Sequence, residues 1–132
     1  ARKAEVKIIY TQDWHNQDDP EFKIWPRHCV AYTEGAEIVK ELSPQEGDLI
    51  IKKSTYSTFY KTDLEERLKE LEIGTLILMG CVTNVCVFFT AFDAYKRGYE
   101  IIAKKDCLGY VDERYHEFAL TTMEKVLGVK IE

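Results

Sequence analysis

The sequence predicts a three-layer α/β/α fold with a mostly parallel sheet, and three observations carry that expectation. Short apolar runs alternate with segments of helical period, the pattern of strand–helix–strand units. The run Thr75–Met79 (TLILM) shows no polar face, as expected of a parallel strand covered on both sides. At 132 residues, 45% hydrophobic and 31% charged, residues 1–132 have the length and composition of one globular domain with a substantial core.

Element by element, Glu5–Tyr10 (EVKIIY) alternates and then turns apolar, so it reads as a strand. Thr11–Val30 reads as a long loop holding Asp13, His15, two prolines and His28. Loops of that length in a compact domain are usually functional or disordered, and Trp14, Phe22 and Trp25 favour an ordered one. Glu34–Leu42 reads as a short helix, Ser43–Gly47 as a turn, Asp48–Lys52 as a strand and Ser54–Lys61 as a loop. Thr62–Glu72 is the clearest helix: Thr62 suits the N-cap, Glu65 follows in capping-box position, and Leu64, Leu68 and Leu71 mark one face. After the strand Thr75–Met79 comes a helix Thr83–Arg97, closed by Gly98. The strand Tyr99–Lys104, a loop with Asp106, the helix Asp112–Val126 and the strand Val129–Ile131 complete the chain. His116, with no acidic or cysteine cluster around it in sequence, reads as a surface residue.

Charge and composition narrow the partners. The net charge is −5 and the basic residues are scattered, which speaks against nucleic acid. No apolar run approaches the roughly 20 residues of a membrane span, and no basic-then-apolar leader opens the sequence, so no membrane is expected. The four cysteines, Cys29, Cys81, Cys86 and Cys107, match no disulfide framework. Reduced thiols and a cytoplasmic location are the expectation.

Three places carry chemistry. Gly80–Cys86 (GCVTNVC) joins the C-terminal end of a buried strand to a helix start, where open α/β sheets bind ligands. With Thr83 as N-cap, Cys86 falls in the first helical turn, where free N–H groups and the helix dipole favour a thiolate. Those amides also suit an oxyanion. A free cysteine is as a rule a small buried hydrophobe, so position alone leaves both readings open. Asp13 and His15 stand two apart just past a strand end, with His28 thirteen residues on, a donor set that suits zinc, manganese or iron. Histidines that merely brace a loop are the competing reading. Lys52 and Lys53, taken alone, are an ordinary solvated strand end.

Together these motifs resemble the isochorismatase-like cysteine hydrolases. Gly80…Thr83…Cys86-Val87, continued by Thr90-Ala91…Asp93-Ala94…Gly98-Tyr99, matches that family's nucleophile turn. Lys53…Tyr56-Ser57-Thr58-Phe59 with Thr62-Asp63-Leu64 matches its lysine loop and selects Lys53 over Lys52. Asp13-Trp14-His15…Trp25-Pro26-Arg27-His28-Cys29 is similar to the nicotinamidase-type branch.

The resemblance implies a Rossmann-like fold and a cis peptide at Cys81–Val82. It makes Cys86 the nucleophile, assigns Lys53 to the reaction and the oxyanion hole to the N–H groups of Val82 and Cys86. Asp13, His15 and His28 would hold a divalent metal, zinc first with manganese or iron as alternatives, and Glu21 is placed to add a fourth ligand. The implied activity is hydrolysis of a small-molecule amide, nicotinamide first, through a Cys86 thioester. Asp18-Asp19-Pro20-Glu21-Phe22 followed by Trp25, Arg27 and His28 is also similar to other C–N hydrolases of the superfamily, with N-carbamoyl or ureido substrates. An inactive paralogue kept for assembly is the alternative outside enzymes. A homo-oligomer, dimer or tetramer, is also implied. The family's first strand, the general-base Asp at its end and most of its first helix have no counterpart from Ala1 onward.

Overall fold

The computed structural model describes residues 2–4 and 6–132, arranged as two compact units, Ala1–Thr62 and Asp63–Glu132. Every strand pair is parallel.

In the first unit, β1 (Ile9–Asp13) pairs with β2 (Leu49–Lys53) from Ile9↔Leu49 to Asp13↔Lys53. The strand expected at Glu5–Tyr10 therefore lies further on, and Glu5 falls outside the described residues. Its polar half is legible only in context: Gln12 is buried, and its amide donates to the Ala36 carbonyl at 2.7 Å. The helix expected over Glu34–Leu42 is two 3₁₀ turns, Glu34–Ala36 and Lys40–Leu42, with Glu37 and Val39 extended between them. Gly35 and the β-branched pair Ile38-Val39 are poor helix residues, and they outweigh the apolar spacing.

The second unit holds a sheet ordered β3 (Thr75–Cys81), β4 (Glu100–Gly109), β5 (Lys130–Ile131), with helices α1 (Leu64–Glu70), α2 (Phe88–Lys96) and α3 (Glu113–Leu127). Leu68, Ala91, Ala94, Ala103, Ala119 and Met123 form its buried core. Alanines on α2 and β4 let helix and sheet approach closely. Three expectations change here. The N-cap position of α1 is Asp63, one residue later than expected, without a side-chain cap bond of its own, and the Thr62 hydroxyl donates to the Thr58 carbonyl. Among the described residues β3 pairs with β4, and its Ile77 and Met79 are exposed. β4 runs through Asp106 to Gly109, and its ladder with β3 breaks after Leu78↔Ala103 and resumes at Gly80↔Leu108. Asp112 caps α3 by accepting from the Arg114 N–H, and Gly98, at φ +82°, follows α2 as expected.

Candidate functional site

The first unit gathers four of the residues singled out by sequence. Parallel register sets Asp13 opposite Lys53 at the C-terminal ends of β1 and β2. Lys53 is 5% exposed, and a buried ammonium needs acceptors. Its Nζ donates to Asp13 Oδ1 and, at 2.9 Å, to the Thr55 carbonyl. Lys53 is thus no solvated strand end.

Beyond β1 the loop is sewn to itself. His15 N donates to the Cys29 carbonyl at 3.0 Å and the Ala31 N–H to the His15 carbonyl at 2.8 Å, a one-residue parallel bridge. This returns His28 beside His15, with ring centroids 4.8 Å apart and Phe22 packed against both rings. One ligand atom from each of Asp13, His15 and His28 lies within 4.8 Å of the others. Donors sharing one cation at about 2 Å stand about 3–4 Å apart, so these three could hold a single divalent ion after a small closing of their side chains.

The hydrogen bonds also choose the tautomers. His28 Nδ1 is 2.7 Å from the Pro26 carbonyl, which can only accept, so Nδ1 carries the proton and Nε2 of the neutral ring keeps its lone pair. His15 Nδ1 donates likewise to Asp19 Oδ2 at 3.1 Å, and the Glu21 N–H donates to Asp19 Oδ1 at 2.9 Å. Burial pushes the Asp19 carboxyl up, but the hydrogen bonds from the Glu21 N–H and from His15 outweigh it and hold the carboxyl below its ordinary value, the more so whenever a neighbouring imidazole is protonated. A carboxylate that orients a ligating imidazole in this way is a common companion of metal sites. Nothing in the residue spacing marked Asp19 for that role except its place four residues after His15. Glu21 groups with His15 and Asp19 rather than with Asp13 and His28, and its Oε1 is 3.8 Å from His28 Nε2. The Trp25 indole donates to the Tyr56 hydroxyl at 3.0 Å, tying this loop to the lysine loop.

The second unit holds the cysteine turn. Gly80, next to last in β3, has φ +115°, a conformation that L side chains resist. The Cys81–Val82 peptide is cis, as the resemblance implies. Val82 is extended, Thr83–Val87 forms a π-helical turn, and α2 continues from Phe88. Single π turns recur at functional sites. Val85 and Val87 direct their N–H groups to the Val82 carbonyl at 3.0 and 3.4 Å; neither is one of the two assigned to the oxyanion. Cys86 is half-buried in this first turn.

Thr83 is not the N-cap. It is the first residue of the turn, fully buried, and its hydroxyl donates to the Gly109 carbonyl at 2.9 Å. A side chain on Gly109 would put its Cβ 3.0 Å from Cys81 Cβ, so glycine lets the ends of β3 and β4 close up. His116, expected at the surface, is 3% exposed, with Nδ1 2.9 Å from Thr83 Oγ1 and the Tyr110 ring stacked on it at 4.3 Å. A signal for this was present: His116, Ala119, Leu120, Met123 and Leu127 share one buried stripe of α3.

No helix among the described residues is long and apolar enough to cross a membrane. Residues 1–131 match the Isochorismatase domain family. Three solved structures resemble the chain closely. The nicotinamidase PncA from Bacillus subtilis is 31% identical with a TM-score of 0.91, covering 98% of this chain and 76% of its own. The pyrazinamidase of Pyrococcus horikoshii in complex with zinc is 34% identical with a TM-score of 0.93, covering 99% and 77%. The N-carbamoylsarcosine amidase from Thermoplasma acidophilum is 33% identical with a TM-score of 0.90, covering 99% and 74%.

Proposed function

The chain belongs to the isochorismatase family, and from that premise we propose that it is a cysteine-dependent amide hydrolase with nicotinamide as the first substrate to test. The observation that carries the reading is a thiol in the first helical turn after a parallel strand, behind a cis peptide. Cys86 gives up its thiol proton and attacks the carboxamide carbon, and the C–N bond breaks as the nitrogen takes up that one proton and leaves as ammonia. Water then cleaves the thioester, giving nicotinate and returning the thiol. The N–H groups of Val82 and Cys86 receive the charge on the carbonyl oxygen, and Lys53 is the cation that the family resemblance assigns to the reaction.

The substrate choice leans on Asp13, His15 and His28, whose imidazoles are already set in the tautomer that binds a cation through Nε2. A divalent ion held by these residues, zinc first, would supply a Lewis acid for a ring nitrogen. The zinc complex of the Pyrococcus horikoshii pyrazinamidase supports that choice. A second reading, hydrolysis of an N-carbamoyl amide, has support of equal rank in the likeness to the Thermoplasma acidophilum enzyme.

Ammonia release from nicotinamide, pyrazinamide and N-carbamoylsarcosine decides between the two. The pyridine and pyrazine amides are expected to lead; preference for the carbamoyl compound would transfer the assignment. Cys86→Ala is expected to lose at least about a thousandfold in turnover with metal content unchanged, as for removal of a covalent nucleophile. Turnover surviving that change would end the nucleophile assignment.

A further inference from the structure

We infer that His116, acting through Thr83, is a positioning residue for the Cys86 turn, an inference that rests on the nucleophile reading above. The hydrogen-bond directions follow from proton counting. Thr83 has one hydroxyl proton, and the Gly109 carbonyl can only accept it. The second contact of the same oxygen, His116 Nδ1 at 2.9 Å, must then be a donor. The chain runs one way, from imidazole N–H to hydroxyl to carbonyl.

Its members come from three elements. Thr83 opens the helical turn three residues before Cys86, Gly109 ends β4, and His116 lies in the first turns of α3. Thr83 is 0% exposed and His116 3%, so water does not compete for these bonds. Tyr110, stacked at 4.3 Å and 29°, fixes the ring plane that aims Nδ1 at the hydroxyl. Within the turn itself, backbone bonds converge on Val82. The Thr83 side chain ties the start of the turn to β4 and α3. Because a helix start sets the direction of the N–H groups and of the side chain one turn on, loosening Thr83 misplaces both Cys86 Sγ and its own N–H. His116 itself does not touch the substrate.

A residue that only filled space would be replaceable by any side chain of like volume. His116→Leu keeps apolar volume without a donor, and His116→Asn can return an N–H near the Nδ1 position. Thr83→Val and Thr83→Ser make the same comparison from the other end. The readouts are the rate of Cys86 alkylation by iodoacetamide, mapped by peptide mass against Cys107, and kcat and KM for the amide found above. Leu and Val are expected to slow both alkylation and kcat about tenfold or more with KM little changed, whereas Asn and Ser stay within about threefold of the parent, the scale of one buried hydrogen bond. A long-range ¹H–¹⁵N spectrum is expected to show His116 protonated on Nδ1.

An Nε2–H tautomer, or Leu and Val variants as reactive as Asn and Ser, would overturn the inference and leave the nucleophile reading standing. If Cys86 in the parent protein alkylates no faster than exposed Cys107, the nucleophile reading fails and takes this inference with it. Should His116→Leu not fold, Thr83→Val, nearly the same shape as threonine, still decides the matter.

Discussion

The two units of the chain place reactive groups by different means. In Ala1–Thr62 the cluster consists of side chains delivered by a loop and aimed by other side chains and carbonyls: Asp19 turns His15, Pro26 turns His28, and Asp13 takes the buried Lys53. In Asp63–Glu132 the chemistry depends on backbone path: a positive-φ glycine, a cis peptide, a π turn and a glycine that admits its neighbour. A cluster of the first kind should fail donor by donor. A turn of the second kind should fail through residues that carry no chemistry at all.

The sharpest break of that contrast is His28→Ala. Removing one of three donors should lower zinc affinity by more than about a hundredfold while thermal stability changes little, read by chelator competition. Undiminished binding would mean the cluster is structural. Asp19→Ala should act in the same direction by about tenfold to a hundredfold, because it releases the tautomer without deleting a ligand, and Asp19→Asn, which keeps an acceptor, should cost less.

Gly80→Ala tests the other unit. Space around Gly80 is open, so the cost is conformational, about 1–3 kcal/mol for a side chain at φ +115°. Melting temperature and Cys86 alkylation should fall together with zinc affinity untouched. Gly109→Ala should do the same through contact with Cys81. Zinc loss in either variant would show that the two kinds of construction are coupled.

The smallest effect belongs to the exposed cap of α3. The Arg114 guanidinium first, and then its backbone N–H, hold the Asp112 carboxyl below its ordinary value. A carboxyl depressed in the folded state stabilises fully above its unfolded value, about 3.9, and that contribution is lost as pH falls from there through the folded value. Asp112→Ala should therefore melt slightly lower than the parent at pH 7, with the gap narrowing as pH falls below about 3.9; a gap that did not narrow in acid would point to packing instead of charge.

Much of this was legible along the chain. The alternation of apolar runs and helical periods reports a parallel α/β fold, and the Asp13, His15, His28 spacing reports a donor set that the structure does bring together. The Cys86 turn was legible as a strand–helix junction. What escaped is of one kind. The end of β1 at Asp13 depends on which residues of β2 it pairs with, and the polar Gln12 is a strand residue because Ala36 supplies an acceptor. Lys53 looks like a solvated end until its register partner is known to be Asp13. His116 looks exposed until its stripe is read with the apolar residues that follow it.

By itself the sequence determined the order and type of most elements, the family, and which residues are chemically capable, because periodicity and residue type are local properties. Tertiary structure alone decided the partners: which oxygen Lys53 meets, which nitrogen of each imidazole is left to bind, and that Thr83 faces Gly109 and His116 instead of capping its own helix. A hydrogen bond needs a donor and an acceptor within about 3 Å, and residues 26 or 33 positions apart in the chain acquire that separation only when the sheet has closed and the helix has packed.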